Sequence, residues 1–391
     1  MRRTNRQPRG AALIIAMLVM AVLLLAGTTF LTISSTENAI ALNERVSAQA
    51  FLLAEAGLHK TIAKLNASST YSGETNTSLG SGSFTVTATT VAGCTATSAR
   101  DVVATGTVPV AGGQAQVQLR TILDQISYPF RWGAFSTVPN LVVTDDDRKE
   151  KELWIKDNGE SDSFDSALGA YSTTTNKGSV GNIGANGDIT LEQNTAISGS
   201  VSAVDAIHTQ SGVTISGSQT TSAAAKSFPS ITPSTTPTSS LNIGNNTTVN
   251  LTAGTYYYTS IDIGNNSNIT TSGGPVTIYV TGDVDIGNSV TIGANPGTNL
   301  QIIAKSSGAD TSSVEFEAGN TFTFYGSFYG KNTDVDLGND AKIYGSMLAR
   351  TIKMGNNAKI HYDLALENQS VCTYGKYLVK LGTWREVIPG S

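Results

Sequence analysis

Asp262, Asp285 and Asp336 occupy the same place in three near-identical segments, each directly after a branched hydrophobe (IDIG, VDIG, VDLG). Carboxylates aligned on successive repeats could serve glycoside chemistry, one as acid and another as nucleophile or base. The same position holds Asn242 and Lys353 in other copies, and an outward-facing strand position accounts for such mixed polar residues without a reaction. His59, His208 and His361 lie in unrelated segments, and His361 in IHYD reads as a capping or packing residue, not a base. GxSxG, HExxH and a Gly-rich phosphate loop are all missing from the sequence.

A second set of oxygen ligands clusters in TDDDRKEKELWIKDNGESD, with Asp145, Asp146, Asp147, Asp157 and Glu160 as the calcium candidates. Their spacing is not that of an EF-hand loop, and mixed charge of this kind reads as a solvated loop. Cys94 and Cys372 form no CxxC pair and have no His at ligand spacing. They are the pair available for a disulfide if the chain leaves the cytoplasm, although the sequence does not bring them together. These residues predict no catalytic site, no metal and no cofactor.

What would carry such residues is a repeat. LNIGNNTTV, IDIGNNSNI, VDIGNSVTI, VDLGNDAKI and IKMGNNAKI read nearly alike, with a looser copy in VEFEAGNTFTF. Their glycines at 244, 264, 287, 319, 338 and 355 stand 20, 23, 32, 19 and 17 residues apart, and FYGSF at 324–328 returns as IYGSM at 343–347. A period near 20 marks a solenoid, whose units bury their apolar faces only against neighbours. In each unit the alternating hydrophobes point inward. Gly244, Gly264, Gly287, Gly338 and Gly355 are expected to supply the turn conformation. Asn245, Asn265, Asn288, Asn339 and Asn356, with Asn320, are expected to align as an amide ladder. A weaker version of the pattern occupies 180–201.

The 391 residues exceed one ordinary domain. A charged fraction of 14% with 39 glycines favours an extracytoplasmic, mainly β protein. A net charge of −5 gives no basic stripe for nucleic acid. Arg2, Arg3, Arg6 and Arg9 precede Gly10, and Ala11 to Ile33 is a 23-residue run without charge, long enough to span a bilayer with the arginines inside. No proline falls between Pro8 and Pro109, so the helix is expected to continue to Leu65, with Phe51, Leu58, Ile62 and Leu65 at helical spacing.

The text QPRGAALIIAMLVMAVLLLAG…AQAFLLAEAGL resembles the PilX-type N-terminal module of pilus assembly proteins, with a class III (prepilin) leader ending at Gly10. The resemblance covers about Gln7 to Leu65. It implies cleavage by a prepilin peptidase after Gly10, Ala11 as the mature residue, and packing with other pilins through the helix. Major pilins carry glutamate at the fifth mature position, where this chain has Ile15; PilX-type and GspK-type subunits also lack it, which implies a place at or near a filament tip. The tract from about 180 to 366 is similar to solenoid domains that follow such leaders.

The expected organisation is a leader (1–10), a transmembrane and stalk helix (11–65) and a small antiparallel pilin-like sheet (66–126). A connecting or insertion segment (127–178) follows, then a head (179–370) resembling a right-handed parallel β-helix, with a Pro/Ser/Thr-rich break at 219–240, and a C-terminal segment (371–391). The expected function is a non-enzymatic minor pilin or pseudopilin, held in the inner membrane with its head in the periplasm and later on the pilus. A surface or glycan ligand for the head is a further expected partner. The alternatives are a membrane-anchored β-solenoid adhesin or scaffold outside the pilus system and, last, a β-helix enzyme acting on polysaccharide.

Overall fold

A computed structural model describes residues 9–91, 99–139, 152–304, 314–372, 377–380 and 382–387. The chain is mainly β, with one long N-terminal helix, one antiparallel sheet and one large parallel sheet. It divides into two units: residues before 92, 99–123 and those from 379 on, and residues 124–378. By sequence the second unit is inserted within the first.

The first unit begins with an unbroken helix, Arg9–Ala67, of 59 residues, about 88 Å long at ~1.5 Å per residue. Val46, Ala50, Leu53, Ala54, Leu58, Thr61 and Leu65 are buried, the three- and four-residue spacing of one helical face. Phe51 and Ile62, expected on that face, stand half-buried on its shoulders. This face packs on an antiparallel sheet of Gly73–Leu79, Gly82–Val91, Ala99–Val110 and Gly113–Asp124. Gly106 sits where helix and strand touch: a Cβ there would lie 1.9 Å from the carbonyl oxygen of Ala50. Arg385–Val387 pairs antiparallel with the Gly113–Asp124 strand, so the chain's last described residues return to this sheet.

The second unit is a stack of three-sided coils whose strands pair in parallel. The first side runs Leu241–Ile243, Ile261–Ile263, Val284–Ile286, 316–318, 335–337, 352–354, Leu153–Ile155, Ile189–Leu191 and Ile207–Thr209. The other two sides follow the same spatial order. Isoleucine, valine, leucine and phenylalanine from every coil meet in one continuous core.

This order is not that of the chain. From Ala134 the polypeptide winds outward to Thr220. It then crosses back and winds from Leu241 toward its own beginning. Lys359–Asp363 docks in parallel on Glu160–Phe164, and Ala134–Ser136 supplies the third side of the coil whose other sides are 352–354 and Lys359–Asp363. The segment 127–178, expected as a connector, therefore contributes strands at the middle of the stack. Alternation and apolar content reveal a strand but not its partner, and these three strands lack the GNN signature.

The proline-containing segment 221–240 is a strap along the third side. Lys226 and Asn186 exchange hydrogen bonds at 2.8 Å, and the Phe228 and Phe135 rings lie 5.1 Å apart. Tyr329 donates its hydroxyl hydrogen to the carbonyl of Pro229, and Ile231 is buried with Ile303, Tyr329 and Leu348. Prolines suit a segment that forms no continuous strand and bonds to the coils only at scattered backbone positions such as Ala223, Lys226 and Ser239.

Candidate functional site

The turn between the first and second sides repeats in all nine coils. One residue in each stands in the left-handed region: Asn246, Asn266, Ser289, Thr321, Asp340, Asn357, Asn158 and Asn194, with φ between 56° and 59°, and Gly212 at 78°. Gly244, Gly264, Gly287, Gly319, Gly338 and Gly355 are not in that region. The expectation that they supply the turn conformation is thus corrected, because the left-handed residue comes two positions later. What Gly264, Gly287, Gly319, Gly338 and Gly355 supply is clearance. A Cβ on Gly264 would lie 2.5 Å from Asn245 Oδ1, and one on Gly338 would lie 2.6 Å from the carbonyl carbon of Gly319.

Through that clearance runs a chain of amides. The backbone N–H of Asn265 donates to Asn245 Oδ1 at 2.7 Å, Asn288 to Asn265 at 2.7 Å, Asn320 to Asn288 at 2.8 Å, and Asn339 to Asn320 and Asn356 to Asn339 at 2.9 Å. Asp157 takes the same position after the crossing, its Oδ1 accepting from the N–H of Gln193 at 3.1 Å. Glu160 pairs with Lys359 at 3.0 Å. These two members of the calcium candidate set are thus engaged by neighbouring coils; Asp145, Asp146 and Asp147 lie outside the described residues. Cys94 also lies outside them, and with it the Cys94–Cys372 disulfide.

The carboxylates singled out for chemistry form a row. Asn242, Asp262, Asp285, Glu317, Asp336 and Lys353 are in register on the first side. Asp262, Asp285 and Glu317 are exposed along a shallow open groove, and Asp336 forms an ion pair with Lys353. Burial, then repulsion from Asp283 and Asp262, pushes the Asp285 carboxyl up. Glu317 belongs to the row because it pairs in register with Asp285 on one side and Asp336 on the other. Among the described residues no three His, Cys, Asp or Glu side chains come together to hold a metal.

A second polar cluster is buried. His361 Nδ1 is 2.6 Å from Asp162 Oδ1, and both residues are at most 3% exposed. Tyr171 donates to Asp162 Oδ2 at 2.7 Å, and Lys177 Nζ lies 3.2 Å from the same oxygen. Burial raises the Asp162 carboxyl, but His361, Tyr171 and Lys177 more than offset this, leaving it below the ordinary range. The Tyr171 ring lies 3.8 Å from the His361 ring, and the Tyr344 ring stacks on it at 4.8 Å. With its ring covered and Nδ1 paired, His361 serves as packing across the junction of first and last coils.

The remaining feature is the exposed helix. Leu13, Ile14, Ile15, Leu18, Leu24 and Phe30 each stand more than half exposed, and this helix is long and apolar enough to cross a membrane. Its polar side chains are satisfied internally: Thr29 and Thr28 bond to the Leu25 carbonyl, and Thr32 to that of Thr28. Back-bonding of this kind removes free donors from a surface that meets lipid or other helices. Gly10 and Ala11 lie in the first turn of the helix.

Comparison with known proteins bears on both units. Residues 215–306 and 276–369 match a domain family of unknown function, DUF7305. Nothing among curated proteins matches the chain. A solved structure, the competence-associated pilin ComZ from Thermus thermophilus, aligns at 12% identity over 88% of this chain and 97% of that one, with a TM-score of 0.25. Residues 9–59 match the family PilX N-terminal, so the amino-terminal helix is similar to the amino-terminal segment of that family.

Proposed function

We propose that this protein is a non-enzymatic minor pilin or pseudopilin-like subunit, processed between Gly10 and Ala11, whose parallel stack acts as a β-solenoid head. The observation that carries the reading is the PilX-type segment at 9–59 with Gly10 directly ahead of the uncharged run. Cleavage there leaves Ala11 as the first residue of a helix whose apolar side chains are exposed from Leu13 to Ile33. That surface suits the inner membrane first and the helical core of a filament afterwards, with other pilins as partners.

Ile15 stands where a major pilin has its glutamate, and a carboxylate without a counter-charge is costly in lipid. A subunit without that carboxylate suits the tip, where it has no terminal amine above it to neutralise. Fitting the domain boundaries to this role makes residues 1–10 the leader, 11–67 the anchor and stalk, 73–124 with 385–387 the neck sheet, and 134–363 the head. A non-catalytic role agrees with the solvent-facing acidic row, where Lys353 pairs with Asp336, and with the covered ring of His361. An adhesive or assembly role is left to the head's surface.

The test is the N-terminal sequence of the protein recovered from its host, beside a Gly10→Val variant. A mature chain beginning at Ala11, lost in the variant, supports the reading. An intact Met1, or cleavage beyond Ala26, overturns it and leaves a membrane-anchored solenoid outside the pilus system.

A further inference from the structure

The stack ends on two open coils. One consists of Ile207–Thr209, Thr214–Ile215 and Gln219–Thr220, the other of Leu241–Ile243 and the long strand Thr248–Tyr258. Among the described residues these strands pair in register only on their inner edges, with Ile189–Leu191, Ala196–Ile197 and Val201–Ala203 at one end and with Ile261–Ile263 and Asn268–Val280 at the other. The half-buried members of the main core are Ile207, Val213 and Ile215 at one end and Leu241, Val249, Tyr256 and Tyr258 at the other. The core is thus unfinished at both ends.

Exposed strand edges are ordinarily guarded by charge, proline or a covering element. Here Ser227 to Ser260 contains no charged residue, and none of the eleven positions from Thr248 to Tyr258 is proline. The three prolines 229, 233 and 237 belong to the strap on the third side.

The two ends are also in phase. The winding finishes on the third side at Thr220 and resumes on the first side at Leu241, with every strand in the stack parallel to its neighbours. Each step in the turn ladder donates an N–H to the next coil, as Asn194 does to the carbonyl of Ser211 and Asn246 to that of Asn265. Continued one step past the end, the same pattern joins the N–H of Gly212 to the carbonyl of an incoming Asn245. It sets His208 opposite Asn242 and Thr214 opposite Thr248.

A single strand from an unrelated partner would occupy one side of three and leave the other two unpaired. Only a coil of the same three-sided form satisfies all of them together. We infer that heads of this protein associate head to tail, the 207–220 coil of one copy seating on the 241–258 coil of a second. Such a contact is heterologous, so it propagates into rows. The inference rests on strand pairing and stands or falls independently of the pilus reading.

The full-length protein in detergent micelles tests it. Thr214 and Thr248 are exposed, so substitution there leaves the fold intact, which circular dichroism checks. Association read by light scattering is expected to weaken about fivefold in a T214K/T248K double variant, where lysines face each other, and to persist in T214E/T248K. His208→Cys and Asn242→Cys proteins, mixed and oxidised, are expected to give a reducible dimer that neither gives alone, against a background set by the wild type with Cys94 and Cys372 in place. A wild-type mass that stays monomeric at all concentrations overturns the inference. So does association equal in both double variants, which assigns it to the apolar helix, or the absence of the mixed dimer.

Discussion

The side-chain amide of Asn158 donates to Oδ1 of Asn357 at 3.2 Å, although 199 positions separate them. Asn194 donates to Asn158 Oδ1 in turn at 3.3 Å, and Asn357 donates to Asp340 Oδ1 at 3.1 Å. All four are left-handed residues of the same turn, so one file of amides crosses the point where the chain meets its own beginning. Asn158→Val combines a β-branched side chain at positive φ with two lost hydrogen bonds, and is expected to cost about 2 kcal/mol. Asn158→Gly keeps the backbone conformation and is expected to cost less; urea unfolding of the two variants measures the difference.

The glycines of the turn are not equivalent. At Gly338 a Cβ meets the backbone of the preceding coil at 2.6 Å, whereas at Gly244, on the end coil, the nearest atom is Thr247 Oγ1 at 3.9 Å. Gly338→Ala should force adjacent coils apart and lower stability by about 2 kcal/mol or more. Gly244→Ala in dilute protein should change it by less than about 0.5 kcal/mol. Equal melting temperatures for the two variants would refute the stacking role.

Acid is expected to loosen the junction between first and last coils. Because the folded carboxyl of Asp162 lies below its ordinary value, it stabilises the fold above about pH 4, and that contribution is lost as pH falls through the folded value. Asp162→Asn should lose about 3 kcal/mol at pH 7, since Lys177 then loses its counter-charge and the bonds to Tyr171 and His361 lose a charged partner. Its stability should also fall less steeply than the wild type between about pH 4 and pH 2. Thermal melts across that range, for both proteins, provide the check.

Strap packing predicts a separate cost. Ile231 is 2% exposed among Ile303, Tyr329 and Leu348, so Ile231→Ala is expected to destabilise the second unit by about 3 kcal/mol. Because the strap joins the two wound halves, limited proteolysis should then cut first within 221–240. Unchanged protection there would mean that the strap is held by its hydrogen bonds to Asn186 and not by this side chain.

Much of this was legible in the sequence because it is local. An uncharged run of 23 residues behind four arginines is a helix in any context, and residues 9–59 match the family that the leader resembles. The GNN repeat marked six of the nine coils, since a turn that stacks on copies of itself selects the same residues each time. The turn's conformation was misassigned by two positions: glycine suits both a positive φ and a close approach, and only coordinates distinguish them. Asn158 and Asn194 escaped notice because their coils lack the glycine; Lys156 and Glu192 stand in its place.

The sequence by itself determined the long apolar helix, the β-rich composition and the near-20-residue period, because each follows from residue type and spacing along the chain. The order of the coils was decided only by the tertiary structure. A parallel ladder offers the same hydrogen bonds to any strand of matching register, so nothing local says that 352–363 meets 153–164 before 189 meets 207. That choice is made by the strap's length, by His361 opposite Asp162, and by the burial gained when both wound halves share one core.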